Sequence, residues 1–152
     1  GRVATVAAPH GAPVVLFKPL STEAVPVPPP GTPGGMGWRE LHAGNGAEAW
    51  EFYSGLFGWT KAEAMDMGPM GIYQLFATGG APVGGMMTRM PDSPGAFWLY
   101  YVDVEAIDAA AARAVEAGGK ILMGPHEVPG PMYVVQCIDP QGAVFAMVAP
   151  KR

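Results

Sequence analysis

Glu40 and His42 stand two residues apart in the stretch "WRELHAG". In an extended strand, side chains two apart leave from the same face. A carboxylate and an imidazole would then stand side by side, with Trp38 as the next residue of the same row. Such a pair can exchange protons, anchor the polar end of a ligand, or supply two ligands to a metal. It can also be a structural pair, and the spacing alone leaves all of these open. The other candidates are weaker. His126-Glu127 sits between Pro125 and Pro129, the setting of a strand or loop edge rather than of a dyad. His10 is the third residue of a turn and reads as solvated. Cys137, the single cysteine, has no basic neighbour in sequence to activate it and reads as a small core residue. One cysteine excludes an internal disulfide framework and any multi-cysteine metal site.

The bulk properties limit what surrounds these residues. A chain of 152 residues that is 49% apolar is long enough for one ordinary domain with a sizeable core and some chain left over. The net charge of −4, with no basic run, argues against a nucleic-acid surface, which needs clustered Lys and Arg. No apolar stretch reaches the roughly 18–20 residues of a membrane-spanning helix, and no secretory signal is present. The expectation is a cytoplasmic protein with no nucleic-acid or membrane partner.

The chain also ends twice. "APHGAPVVLFKP" at 8–19 and "DPQGAVFAMVAP" at 139–150 align at a constant offset of 131, so that Pro9, Gly11, Ala12 and Pro19 meet Pro140, Gly142, Ala143 and Pro150. Asp139-Pro140-Gln141-Gly142 has the residue preferences of a type I turn. Its flanks, "MYVVQCI" and "AVFAMV", are β-prone, so each copy reads as strand, tight turn, strand. Between the first copy and the rest lies "STEAVPVPPPGTPGGMG", residues 21–37. Six of the 17 prolines fall between Pro19 and Pro33, and the segment reads as an inter-domain linker.

Residues 38–151 divide into two similar halves, about 38–92 and 93–151. The first opens with a strand and continues with a helix that Asn45 can cap, with Glu48 three residues on as in a capping box. Ala49, Phe52, Tyr53, Leu56 and Phe57 form one apolar stripe, and Gly58 suits a left-handed stop. Strands are expected around 60–65, 71–78 and 82–89. The second half repeats the plan. "AFWLYYVDV" reads as a strand and "EAIDAAAARAVEAGG" as a helix, with Ile107, Ala111 and Val115 on one face and Gly118-Gly119 as its stop. "KILMGPHEV", "MYVVQCI" and "AVFAMVA" follow as strands. Both halves are therefore βαβββ.

With "EFYSGLFGW" ending the first helix and "DPQGAVFAMV" closing the second module, the chain resembles the vicinal oxygen chelate superfamily, which covers glyoxalase, bleomycin resistance proteins and extradiol dioxygenases. Within it, the tandem-domain bacterial type is the nearest match. The resemblance covers residues 38–150. It implies an α+β fold in which two βαβββ modules form a cupped mixed sheet with helices outside. It also implies that residues 1–20 are the leftover C-terminal β-hairpin of a preceding similar domain, whose open edges should pair with a sheet edge of the same chain or of a neighbour.

Enzymes of that superfamily carry His, Glu or Gln metal ligands on the first and last strand of each module. Here the first position falls on or near Trp38, with Glu40 as a neighbour. Between Met67 and Pro91 there is no Asp, Glu, His or Cys. Phe97 or Trp98 stands where a histidine is expected in module two, and Ala146 stands at the glutamate position. The expectation is a site with no metal and no cofactor. Six of the ten methionines lie between Met65 and Met90, and Trp38, Trp50, Trp59, Trp98, Tyr100 and Tyr101 lie on or beside cup strands. Such side chains suit a flat apolar ligand, although alternate positions must serve as ordinary core. The ligand-binding candidates are Trp38, Glu40, His42, Met86, Trp98 and Tyr100. The expected function is metal-independent binding of a small apolar or aromatic molecule. The alternatives are a metal-dependent lyase, isomerase or dioxygenase, and a pairing module with a vestigial site. Whether the chain is an enzyme stays open. A homodimer, or pairing with the preceding domain, is the expected assembly.

Overall fold

The computed structural model describes residues 1–21, 23 and 26–152; residues 22, 24 and 25, inside the expected linker, lie outside the described residues. The chain forms two compact units, one of residues 1–26 and 40–98, the other of residues 27–39 and 99–152. The fold is α+β, with two βαβββ modules, as the sequence pattern predicts.

The first unit begins with a hairpin of β1 (Arg2–Ala7) and β2 (Pro13–Lys18). Strand β3 (Met36–Ala43) enters the unit at Glu40 and leads to helix α1 (Gly46–Phe57). Asn45 caps α1: its side-chain oxygen accepts from the amides of Ala47 and Glu48 at 3.0 and 3.2 Å. Glu48 does not complete a capping box; its carboxylate reaches His10 instead, 2.8 Å away. His10 is exposed, as expected, and its ring is also tied to α1. Gly58 closes the helix at φ 67°, its amide donating to the Ser54 carbonyl. Strands β4 (Thr60–Asp66), β5 (Ile72–Ala77) and β6 (Pro82–Thr88) follow, in hydrogen-bonded order β4-β5-β6-β3.

The core of this unit joins Leu41 and Ala43 of β3, Ala49 and Tyr53 of α1, Phe76, Met86, and Ala8 and Ala12 from the hairpin turn. The apolar stripe of α1 is narrower than the sequence suggests. Leu56 at its C-terminal end is half exposed, Phe57 keeps its ring against Tyr53 and Trp59, and Ala49 and Tyr53 are the fully buried anchors. Tyr53 stacks on Trp59 at 5.2 Å, and Trp59 stacks on Phe76 at 4.3 Å.

The second unit carries β7 (Phe97–Asp103) from Leu99 onward, helix α2 (Ile107–Glu116), β8 (Lys120–Val128), β9 (Met132–Ile138) and β10 (Val144–Ala149). The order is β7-β10-β9-β8, the same within-module order as in the first module. β7 and β10 run parallel, while β10/β9 and β9/β8 are antiparallel, which makes the sheet mixed. Ile107, Ala110 and Ala111 of α2 pack on Val135, Cys137, Met147 and Ala149. Ala110 takes the place expected of Val115, which is exposed. Residues 27–37, read as linker, are held by this unit: the Gly34 amide donates to the Asp103 carbonyl, and the Asp103 amide donates to the Gly35 carbonyl.

The hairpin at residues 2–18 pairs only with itself among the described residues. The expected pairing with a sheet edge of the same chain is not formed. Its turn, rather than its edges, does the anchoring, through the buried Ala8 and Ala12 and the His10–Glu48 contact.

Candidate functional site

Leu41 and Ala43 point into the core, so strand alternation sends Glu40 and His42 to the opposite face of β3. There the Glu40 carboxylate is shared by two donors. His42 Nε2 lies 2.7 Å from Oε1, and the Tyr73 hydroxyl donates to Oε2 over 2.9 Å. A carboxylate acceptor fixes the ring tautomer that carries its proton on Nε2. Glu40 and His42 are 13% and 19% exposed, enough cover to strengthen the charge-assisted bonds while leaving an approach from solvent. The His42 ring also lies flat on Phe97, with centroids 4.5 Å apart and planes 7° from parallel.

Tyr73 reaches Glu40 because Gly85 makes room. A β-carbon at Gly85 would overlap the Tyr73 ring and hydroxyl. Gly85 of β6 is thus a seat for a ring, the close-approach use of glycine in a strand. Four elements build one cluster: β3 supplies the charge, β5 the phenol, β6 the gap and β7 the stacking ring.

The second module has a different row. Tyr101, Ala146 and Gln136 are aligned partners across β7, β10 and β9. Gln136 donates to the Tyr101 hydroxyl over 2.9 Å, and Ala146 between them is fully buried. Ala146 is the residue at the position where the resemblance places a glutamate ligand. Nearby in the same unit, Asp103 is 5% exposed, and Gly37 passes so close that a β-carbon there would meet its carboxylate. Burial pushes the Asp103 carboxyl above its usual range, and a hydrogen bond from the Gly31 backbone partly offsets this. Burial likewise pushes the Cys137 thiol up.

The structure brings Glu40 and His42 together. Met86 and Trp98 lie in the core of the first unit, where Trp98 Nε1 donates to the Tyr53 hydroxyl over 3.2 Å. Trp38 and Tyr100 belong to the second unit, Trp38 half-buried and Tyr100 46% exposed. Alternation explains the separation on β7: Phe97 takes the His42 side, and Trp98 takes the helix side. Sequence reasoning missed Tyr73, Gly85, Phe97 and Gln136 as parts of polar or stacking clusters. The only sequence signals were the glycine pair in a strand and a phenylalanine at odd register in "AFWLYYV".

The donor set can be compared with what a divalent ion needs. Among the described residues, no three His, Cys, Asp or Glu side chains converge as a metal site would require. Both Glu40 oxygens are engaged within the protein. Within this donor class, Glu40 and His42 stand as a pair and not as a set of three.

Fold and comparison define the class of protein. The family model for the Glyoxalase/Bleomycin resistance protein/Dioxygenase superfamily matches residues 35–147, and the chain belongs to that superfamily. It is similar to the anthracycline biosynthesis protein DnrV of Streptomyces peucetius, 32% identical over 129 residues, covering 76% of this chain and 46% of that one. It is also similar to CFP32 of Mycobacterium tuberculosis, 31% identical over 151 residues, covering 99% and 56%. The chain spans about half the length of these relatives. A methylmalonyl-CoA epimerase of Streptomyces coelicolor shares the fold, with a TM-score of 0.58 at 14% identity, over 78% of this chain and 95% of that one.

Proposed function

We propose that this chain binds a small, flat, apolar or aromatic molecule without a metal ion, with Glu40 and His42 as the polar anchors. The observation that carries the reading is the Glu40 carboxylate held between His42 and Tyr73, beside the ring of Phe97. A ligand hydroxyl would donate to the free Nδ1 of the imidazole, while the ligand's ring plane extends the His42–Phe97 stack. The similarity to a protein named for anthracycline biosynthesis favours a fused aromatic ring system.

The same geometry favours one second reading. An imidazole oriented by a carboxylate is a general base, so proton transfer from a bound ligand is a chemistry the pair could perform. Calorimetric titration with Ni²⁺, Zn²⁺, Fe²⁺ and Mn²⁺ separates both readings from a metal enzyme. No stoichiometric binding is expected. Tight one-to-one binding that disappears in a Glu40→Ala/His42→Ala variant would overturn the metal-free reading.

A further inference from the structure

Strand β7 divides its side chains between two faces. Tyr101 lies on the face that carries Gln136 and Ala146, while Val104, just past the strand, packs with α2 on the other. Alternation puts Val102 on the Val104 side. Where β7 ends, Gly34 and Gly35 bond to the Asp103 backbone. A cavity of about 530 Å³ lies at this end of the second unit, walled by Val102, Val104, Ala106 and Ala109, with Pro33 and Gly34 also lining it. That volume is within the roughly 300–1,000 Å³ of small-molecule sites. The wall is apolar and made of short side chains, so it offers contact area with little of its own to rearrange.

Three charged side chains line the same cavity: Asp103, Glu105 and Arg113. Asp103 is 5% exposed, yet no Lys, Arg or His side chain pairs with it among the described residues. Its polar contact is with the Gly31 backbone, and the Gly37 backbone crowds it from one side. A buried carboxylate ordinarily has a cation beside it. Without one, burial holds the Asp103 carboxyl above its usual range, which costs stability at neutral pH. Glu105 and Arg113 are exposed and likewise form no ion pair among the described residues. Arg113 stands two turns, about 10 Å, along α2 from Ala106. The lining therefore carries two carboxylates against one guanidinium, and the buried charge is negative.

We infer that this cavity binds a small organic amine, whose protonated nitrogen pairs with the Asp103 carboxylate and whose apolar body lies on Val102, Val104, Ala106 and Ala109. A cation supplies the partner that Asp103 lacks, in a site where little water competes for it. An anion would bring a third negative charge beside Asp103 and Glu105, with Arg113 alone to hold it. A neutral molecule would fill the wall and leave Asp103 unpaired. The cavity shares no residue with the Glu40–His42 pair, and the inference does not rest on the ligand proposed there.

The test is an NMR titration of the whole chain with hexylammonium chloride, with hexan-1-ol and sodium hexanoate as its neutral and anionic counterparts. Saturable shifts are expected at the Gly34, Asp103 and Ala109 amides with the ammonium, and binding weaker by about tenfold or more with the other two. Asp103→Asn should weaken the ammonium by about tenfold or more and reduce its preference over hexan-1-ol. Arg113→Ala should bind it as tightly as the parent chain or tighter. Ala109→Trp, a change at an exposed helix position, fills the cavity and should abolish the shifts; it decides the matter if Asp103→Asn does not keep the native spectrum. Three results would overturn the inference. One is no saturable shift at the cavity amides. Another is hexanoate binding as tightly as the ammonium, lost in Arg113→Ala. The third is ammonium binding unchanged in a folded Asp103→Asn or Ala109→Trp variant.

Discussion

The two modules share their strand order but not the chemistry of their polar rows. In the first, a carboxylate gathers an imidazole and a phenol, and a glycine gives way so that the phenol can lie down. In the second, an alanine occupies the middle of the row and a neutral amide meets a phenol above it. A scaffold of paired strands fixes where side chains stand, and it leaves their charge to be set position by position. The first row is a charged, partly open cluster, and the second is a neutral pair over a buried alanine.

That contrast can be broken at its glycine. Gly85→Ala should destabilise the protein by about 2–3 kcal/mol, the cost of overpacking a tight site, seen as a lowered midpoint in urea. It should also release Tyr73 from Glu40. Next comes Glu40→Ala, which leaves the His42 ring nitrogen and the Tyr73 hydroxyl without their shared acceptor. A loss of about 1–3 kcal/mol is expected, with Glu40→Gln recovering part of it. The matching change in the second row, Gln136→Ala, removes one neutral bond and should cost only about 1 kcal/mol. If Gln136→Ala were the costlier of the two in chemical denaturation, the proposed difference between the rows would be reversed.

Much of the architecture was legible because local chemistry marks it. Asn45 and Gly58 bracket α1, the Asp139 turn closes the last hairpin, and strands rich in Val, Ile and aromatics carry the second module. The Glu40–His42 pair was legible too, since alternation alone places two such residues together. The partners of that pair were not. Tyr73 lies 33 residues from Glu40, and nothing local says that a glycine on a third strand will admit its ring. The face of β7 was ambiguous for a physical reason: "FWLYYV" is apolar on both sides, so periodicity does not tell Phe97 from Trp98.

Two further predictions concern the buried groups of the second unit. Cys137 is fully buried and its thiol is held above the ordinary range, so a thiol reagent should label it only in denaturant. Appreciable labelling of the native protein would mean that the packing of α2 on β9 opens readily. Asp103 gives the smallest effect. Its raised folded pKa means that the folded chain binds that proton more tightly than the unfolded chain does. Its stabilising contribution is therefore full below the unfolded pKa and is lost as pH rises through the raised value. Asp103→Asn should raise Tm at neutral pH by an amount worth under about 1 kcal/mol, and the gain should vanish in acid. A gain that grew as the pH fell would contradict the assigned cause.

The most direct test of the central claim is calorimetric titration of EDTA-treated protein with a soluble anthraquinone, repeated with added Ni²⁺ and with the Glu40→Ala/His42→Ala variant. The account predicts one-to-one binding in EDTA, unchanged by Ni²⁺ and at least tenfold weaker in the variant. Binding that appears only with the metal, or that is indifferent to loss of Glu40 and His42, would contradict it.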